Sequence, residues 1–287
     1  MNMEVSIINA FGKSEEGGNG AGVLLDANNL SEEQMQKIAK EVGLSETAFV
    51  KNSSVADFKV RFFTPVKEVD LCGHATIATF YLLKKRGLIK GGNYTQETKA
   101  GVLNVQVNED NSILMDQSMP EFYEKLDKEE IAKSLNINVE HISDELPVQI
   151  VSTGLKDVMV PIKSMEILNS MEPDFEMIRE TSKKYEVVGY HAFSLETIGN
   201  TTAHCRNFAP LYDILEESAT GTSNGALSSY LYEHGKLDKM ENLVFEQGYA
   251  MRMPSEIKAA LEVDGGKIKK VKVGGIALEV KLMIVSI

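Results

Sequence analysis

The spacing of hydrophobic residues predicts one buried helix in each half of the chain. The first opens on small residues at Gly73 and stops at Gly87, and the second opens likewise at Gly221 and stops at Gly235. The two helices have the same length, and a strand with a proline-containing loop precedes each of them. A repeat of this length indicates a duplicated domain. Because a helix start exposes unpaired backbone N–H groups, we expect the two starts to face each other across a cleft and to suit a carboxylate or phosphate.

The clearest further helix spans residues 31–42 and carries its hydrophobic residues on one face. Ser31 and Gln34 form a capping box at its start, and Gly43 ends it. Shorter helical patterns occupy residues 127–135 and 174–185. Alternating or apolar runs predict strands at residues 5–11, 23–25, 48–50, 58–63, 102–107, 112–116, 148–151, 158–162, 189–193, 204–208, 244–247 and 270–287, the last with a hairpin turn at Gly274-Gly275. The chain is therefore predicted to be an α+β protein with halves at residues 1–120 and 121–287, its last strand being free to pack on the first half.

Composition narrows the possible function classes. The 287 residues carry a net charge of −12, which argues against a nucleic-acid surface. No apolar run reaches the roughly 20 residues that span a bilayer, so no membrane partner is expected, and the beginning of the sequence has no signal-peptide pattern. The two cysteines, Cys72 and Cys205, make no disulfide framework, so we predict a cytoplasmic protein.

Two possible cofactor motifs carry little weight. The His and Cys residues show no zinc-ligand spacing, so no metal is predicted. The glycine-rich loop at residues 17–22 lacks the Lys-Ser/Thr of a phosphate-binding loop and leads into a strand. We interpret it as a tight turn that lines a pocket.

Three side chains near the first helix are candidates for chemistry, and each has a plain structural interpretation. Glu46 lies between apolar neighbours in the loop before a strand, where a solvated carboxylate is the commoner interpretation. His74 stands at the helix start, where its ring suits a hydrogen bond to neighbouring backbone. Cys72 is either a small buried residue or a reactive thiol.

Short motifs in order along nearly the whole chain add a second line of reasoning. They are Gly18-Asn19-Gly20-Ala21-Gly22-Val23, Leu44-Ser45-Glu46-Thr47-Ala48-Phe49-Val50, Arg61-Phe62-Phe63-Thr64-Pro65, Leu71-Cys72-Gly73-His74-Ala75-Thr76, Arg206-Asn207-Phe208-Ala209-Pro210, Ala219-Thr220-Gly221-Thr222 and Val273-Gly274-Gly275. Together they resemble the phenazine biosynthesis PhzF-like family. The resemblance implies the diaminopimelate epimerase-like fold, in which two pseudo-symmetric domains each wrap a curved, mostly antiparallel sheet around a central helix.

The resemblance also implies a cofactor-independent isomerase that shifts a proton on a small, carboxylate-bearing metabolite similar to a cyclic amino acid. The Glu of the family's Leu-Ser-Glu-Thr motif, here Glu46, is the general acid/base. We expect an apolar pocket, with Phe49 among its walls, to raise the pKa of Glu46. The other residues expected at the site are the catalytic His74 and Glu217 and the substrate-binding Gly73, Gly221, Thr222, Cys72 and Thr220. Related proteins are often homodimers, so a homodimer is expected.

Departures from the family pattern leave other functions open. Glu217 and Thr222 stand where the family usually has Asp and Ser, which changes the shape of the pocket, and Arg252 is displaced from its usual place. The alternative is a non-catalytic protein that binds a small anion on the same fold. A cysteine-dependent amino acid epimerase or racemase is a weaker alternative, because such enzymes use a cysteine at each helix start and the second start carries Thr220.

Overall fold

A computed structural model of the chain describes residues 2–286. The helices are α1 (Glu32–Val42), α2 (Gly73–Lys85), α3 (Lys128–Ser134), α4 (Met165–Ser170), α5 (Phe175–Lys184) and α6 (Gly221–Glu233). The strands are β1 (Asn2–Ala10), β2 (Asn19–Leu24), β3 (Glu46–Lys51), β4 (Phe58–Phe63), β5 (Glu68–Val69), β6 (Gly92–Thr98), β7 (Gly101–Val107), β8 (Ile113–Asp116), β9 (Glu121–Lys125), β10 (Gln149–Ser152), β11 (Lys156–Pro161), β12 (Gly189–Ser194), β13 (Ala203–Ala209), β14 (Ile214–Glu217), β15 (Leu243–Gln247), β16 (Ser255–Asp264), β17 (Lys267–Gly275) and β18 (Ala277–Ser286). Within the described range, no helix is both long enough and apolar enough to cross a membrane. The predicted α+β class is confirmed.

The first of two compact units contains the described residues up to Asp116 and those from Gly274 onward. Its strands follow the order β18-β1-β2-β3-β4-β6-β7-β8, and β5 is added on β4. The pairs β2/β3 and β4/β6 are parallel and the others antiparallel. Helix α2 is buried on nearly all sides and contacts strands from both ends of this order, including β18 and β8. The sheet therefore curls around α2, as a central helix requires.

The second unit, residues 117–273, repeats this plan. Its order is β9-β10-β11-β12-β13-β15-β16, with β14 added on β13 and with β11/β12 and β13/β15 parallel. Helix α6 takes the place of α2 and, like α2, is 13 residues long. It contacts β10, β11 and β16. Both helices are followed by a glycine at positive φ, 71° at Gly87 and 65° at Gly235. The predicted duplication is confirmed.

Helix α1 follows directly from its sequence. The Ser31 hydroxyl accepts from the Gln34 backbone N–H and the Gln34 side chain accepts from the Ser31 N–H, and Gly43 ends the helix in the left-handed region at φ 70°. The buried face, which includes Ile38, packs with Phe49 in the core of the first unit. The predicted capping box and stop are both confirmed.

The end of the chain differs from the prediction. Strand β17 runs straight through Gly274, and the turn lies instead at Gly265 and Gly266, which have φ of 57° and 75°. A Cβ on Gly274 would lie 1.7 Å from the carbonyl oxygen of Ile113. Glycine is therefore needed there for close approach of two backbones, and the predicted hairpin turn at this position is wrong.

Candidate active site

Glu46 is the first residue of β3. The strand begins two residues earlier than predicted, so Glu46 lies in the strand and not in the loop before it. Side chains alternate along a strand, so Glu46 projects from the face opposite to Thr47 and Phe49. Phe49 packs edge-on against Phe63, with ring centroids 5.4 Å apart, in the core under α1. The prediction that Phe49 lines the pocket of Glu46 is therefore wrong.

The start of α2 brings two further side chains to Glu46. Cys72 is the N-cap residue and makes no capping hydrogen bond with its side chain, and His74 lies in the first turn. His74 Nε2 is 3.2 Å from Glu46 Oε2, and its Nδ1 is 3.4 Å from Cys72 Sγ. Ser45, which sequence reasoning did not single out, places its Oγ 3.3 Å from His74 Nε2. The sequence feature that points to Ser45 is its position directly before Glu46.

The electrostatics of this group reverse the prediction for Glu46. Burial raises the pKa of Glu46, but His74 and, to a smaller extent, Ser45 and Cys72 outweigh it, so the net pKa is below the ordinary value. Burial lowers the pKa of His74, yet Cys72 and Glu46 raise it well above the ordinary value overall. Burial raises the pKa of the Cys72 thiol. Glu46 and His74 therefore form a charge contact, and the expected rise in the pKa of Glu46 is wrong because a cation lies against it.

One oxygen of Glu46, Oε2, has no aligned hydrogen-bond donor within residues 2–286. Oε2 is buried and has no aligned donor among the described residues, although the charged ring of His74 is at ion-pair distance. The Glu46 side chain is 20% exposed and that of His74 is 12% exposed, so both can still be reached from solvent. A carboxylate oxygen without an aligned donor, on a side chain that solvent still reaches, is suited to accept a proton from a ligand.

The second unit carries a related but different arrangement at the start of α6. Thr220 is the N-cap residue, makes no capping bond to the helix and instead donates its hydroxyl to Glu217 Oε2 at 2.6 Å. Gln247 donates to the Thr220 hydroxyl at 3.1 Å and to the Glu217 carbonyl at 2.8 Å. The next residue, Gly221, opens the helix, and the carbonyl of Thr222 accepts from a neighbouring hydroxyl. The predicted residues of this half therefore lie together at one helix start.

A network of buried polar side chains holds the start of α6 in place. Asn224 donates to the Thr220 carbonyl at 2.8 Å and to Gln247 Oε1 at 2.9 Å, and its own Oδ1 is 3.2 Å from His191 Nε2. Because both donors of Asn224 are used, His191 must donate through Nε2. Burial lowers the pKa of His191 to about 4, only partly offset by Asn207 and Asn224, so this ring is neutral.

The group in the first unit is also the place where a metal ion could be held. The ligand atoms of Glu46, Cys72 and His74 all lie within 4.8 Å of one another, and among residues 2–286 they form the one such group of three. Thiolate, imidazole and carboxylate are the donors that zinc takes in proteins. Strand β2 begins at Asn19, so residues 19–22 of the glycine-rich segment are strand, and the prediction of a turn over all of residues 17–22 is wrong.

Comparison with known proteins agrees with this geometry. A model of the family described as phenazine biosynthesis-like protein matches residues 8–282. The chain is 34% identical over 273 residues to the protein named uncharacterized isomerase YfhB of Bacillus subtilis (strain 168), covering 93% of both. It is 29% identical over 282 residues to trans-2,3-dihydro-3-hydroxyanthranilate isomerase of Pseudomonas chlororaphis, covering 94% of both. A crystal structure of a PhzF family phenazine biosynthesis protein from Bacillus anthracis is 35% identical, covers 100% of both chains and superposes with a TM-score of 0.90. The chain belongs to the phenazine biosynthesis-like protein family and is an isomerase with the fold that its sequence predicts.

Proposed function

We propose that this isomerase moves a proton between two carbons of a small ring compound that carries a carboxylate, with Glu46 as the general acid/base. The observation that carries the proposal is the buried Oε2 of Glu46, which has no aligned donor within residues 2–286 and lies 3.2 Å from His74 Nε2. The relative from Pseudomonas chlororaphis is named for an anthranilate derivative, which is a ring with a carboxylate and an amino group. A substrate of this chemical class fits a site that joins a carboxylate base to a cation.

The proposed reaction needs one proton and one base. Glu46 takes a proton from a carbon next to a double bond, and the electron pair left behind spreads over the conjugated system. The carboxylic acid so formed returns the proton to another carbon, which moves the double bond. General acid/base catalysis by one placed group contributes about 10²–10⁴-fold in rate.

His74 and the start of α2 would hold the substrate. The first-turn N–H groups of Gly73 and His74 lie at the helix start, where the first turn contains no acidic residue and Cys72 makes no capping hydrogen bond with its side chain. A carboxylate bound there meets the positive end of the helix dipole and the His74 imidazolium. These contacts orient the reacting carbon toward Glu46 Oε2.

Substrate binding would also adjust the base. In the free protein His74 keeps the pKa of Glu46 low, which makes the carboxylate a weak base. A bound ring covers the remaining exposed surface of both side chains, and its carboxylate shares the charge of His74. Both changes raise the pKa of Glu46 toward the range that proton transfer from carbon needs.

Exchange with heavy water tests this proposal. A thermal-shift screen of small ring carboxylates selects ligands, and each is then incubated with the protein in D2O while NMR or mass spectrometry follows deuterium incorporation. We expect Glu46→Gln to keep ligand binding and to lose about 10²-fold or more in exchange rate. Glu41→Gln is the matched control, because Glu41 is an exposed residue at the end of α1.

Two outcomes would remove Glu46 from this role. One is exchange by Glu46→Gln at a rate close to that of the unchanged protein. The other is ligand binding without deuterium incorporation in any ligand, which would favour binding without proton transfer. Melting curves of both variants show whether folding is intact.

A further inference from the structure

We propose that Glu46, Cys72 and His74 form a binding site for one zinc ion, which reversibly blocks the proton-shifting site. The binding itself is a property of these three side chains. Only the blocking rests on the function proposed above. Zinc here acts as an inhibitor that blocks the proposed proton transfer, and it supplies no chemistry to that reaction.

The distances suit one tetrahedral ion. With zinc bonds of about 2.0–2.3 Å to nitrogen, oxygen and sulfur, neighbouring ligand atoms lie about 3.3–3.6 Å apart. His74 Nε2 is 3.2 Å from Glu46 Oε2 and 3.8 Å from Cys72 Sγ. All three atoms lie within 4.8 Å of one another, so side-chain shifts of about an ångström or less bring them to these spacings. The fourth ligand of the ion is either water or the hydroxyl of Ser45, whose Oγ is 3.3 Å from His74 Nε2.

The donor set selects the metal. A thiolate and an imidazole favour zinc over magnesium or calcium, which prefer oxygen ligands. Glu46 Oε2 has no aligned hydrogen-bond donor within the described part of the chain, so coordination replaces only its ion pair with His74. The sequence shows no zinc-ligand spacing because Glu46 comes from β3 and the other two ligands come from the start of α2.

Coordination explains the block. Zinc takes the Oε2 lone pair that would accept the carbon proton, and the thiol and imidazolium protons that it displaces leave to solvent. The ion also removes the charged N–H of His74 that would face a substrate carboxylate. Zinc and substrate should therefore compete, and added chelator should restore activity.

Cobalt spectroscopy and zinc calorimetry test the binding without any activity assay. Tag-free protein is titrated with CoCl2 alone, and a thiolate-to-cobalt charge-transfer band with tetrahedral d–d bands is expected at one equivalent. ZnCl2 should displace the cobalt and remove the bands. Cys72→Ala should lose the charge-transfer band and weaken zinc binding about tenfold or more.

Matched variants make the result decisive. Cys205→Ala removes the other thiol, which is fully buried in the second unit, and should keep both the band and the zinc affinity. His74→Gln, a second ligand variant, should weaken zinc binding about as much as Cys72→Ala. No charge-transfer band in the unchanged protein, or a band that survives in Cys72→Ala, overturns the proposal. A clear cobalt site in a protein that shows no deuterium exchange would keep the metal site and overturn only the proposed reaction.

Discussion

Replacing Asp157 by Asn should change how the stability of the second unit depends on pH. Asp157 lies on β11 against α6 and is 2% exposed. Its Oδ2 accepts from the Ser223 hydroxyl at 2.6 Å, and its Oδ1 is buried without an aligned partner among the described residues. Burial raises the pKa of this carboxyl from 3.8 to about 7, with a further contribution from the charge of Glu217. In the folded protein Asp157 therefore holds its proton at mildly acidic pH.

The sign and size of the effect follow from linkage. The unfolded carboxyl has a pKa of about 3.9, so the folded state binds the proton more tightly. The stabilisation is fully present below about pH 4 and is lost as the pH rises through about 7. Each unit of pH between these values costs about 1.4 kcal/mol, or about 4 kcal/mol in all. Asp157→Asn cannot titrate, so its free energy of unfolding should lack this decline.

Urea unfolding at a series of pH values between about 4 and 8 measures the effect. The chain has no tryptophan, so far-UV circular dichroism and tyrosine fluorescence serve as probes. Asp264→Asn, at an exposed position on β16, is the control and should follow the unchanged protein at every pH. A stability difference between the unchanged protein and Asp157→Asn that stays constant over this range refutes the reasoning, because Asp157 would then be ionised in the fold.

Three further predictions concern the site and the fold. His74→Gln removes the main group that lowers the pKa of Glu46. The acidic limb of the pH profile of deuterium exchange should therefore move to higher pH. A limb that stays in place would mean that the charge of His74 does not act on Glu46. Gly274→Ala places a Cβ 1.7 Å from a carbonyl oxygen and should cost about 3 kcal/mol or more in urea unfolding, whereas Gly87→Ala, with positive φ but open space, should cost about 1–2 kcal/mol. Equal losses of stability in the two variants would show that the backbone moves to relieve the contact between the new Cβ and the Ile113 carbonyl oxygen. Ser31→Ala removes the capping box and should cost about 1 kcal/mol by the same measurement, and an unchanged midpoint would mean that the cap contributes nothing.

Local rules recovered the elements whose determinants lie close together in sequence. The capping box and the Gly43 stop fix α1 within a dozen residues, and the helices that open at Gly73 and Gly221 are marked by small residues at one end and glycine at the other. Strand β16 was missed although Ile257, Ala259 and Leu261 alternate inward along it. The alternation of these three residues is a local pattern of the kind that predicts a strand.

The errors have a common cause, which is contact between distant segments. Gly274 looks like a turn residue until Ile113 is placed against it. Glu46 was expected to be a proton-holding acid, but its pKa depends on His74, which reaches it only through the fold. The sequence identifies both residues as special, whereas the reason in each case is a neighbour that no local pattern reveals.

The duplication itself limits where the proposed proton transfer can occur. In the first unit Glu46 pairs with Ala21 and is followed by Thr47, which pairs with Phe63. The same positions in the second unit are filled by Gly189, which pairs with Asp157, and by Tyr190, which pairs with Phe208.

Gly189 therefore stands where Glu46 does, and a Cβ there would lie 1.8 Å from the Phe208 carbonyl oxygen, so no side chain fits. The starts of α2 and α6 also differ in whether a charged side chain is present. A charged ring at His74 faces the carboxylate in the first unit, whereas Thr220, Asn224 and the neutral His191 form a fixed hydrogen-bonded network in the second. A base that must gain and lose a proton needs a partner whose charge can respond, and the first unit supplies one. The two copies of one fold have thus diverged, so that the proposed general acid/base chemistry fits the first helix start and binding through fixed hydrogen-bond donors fits the second.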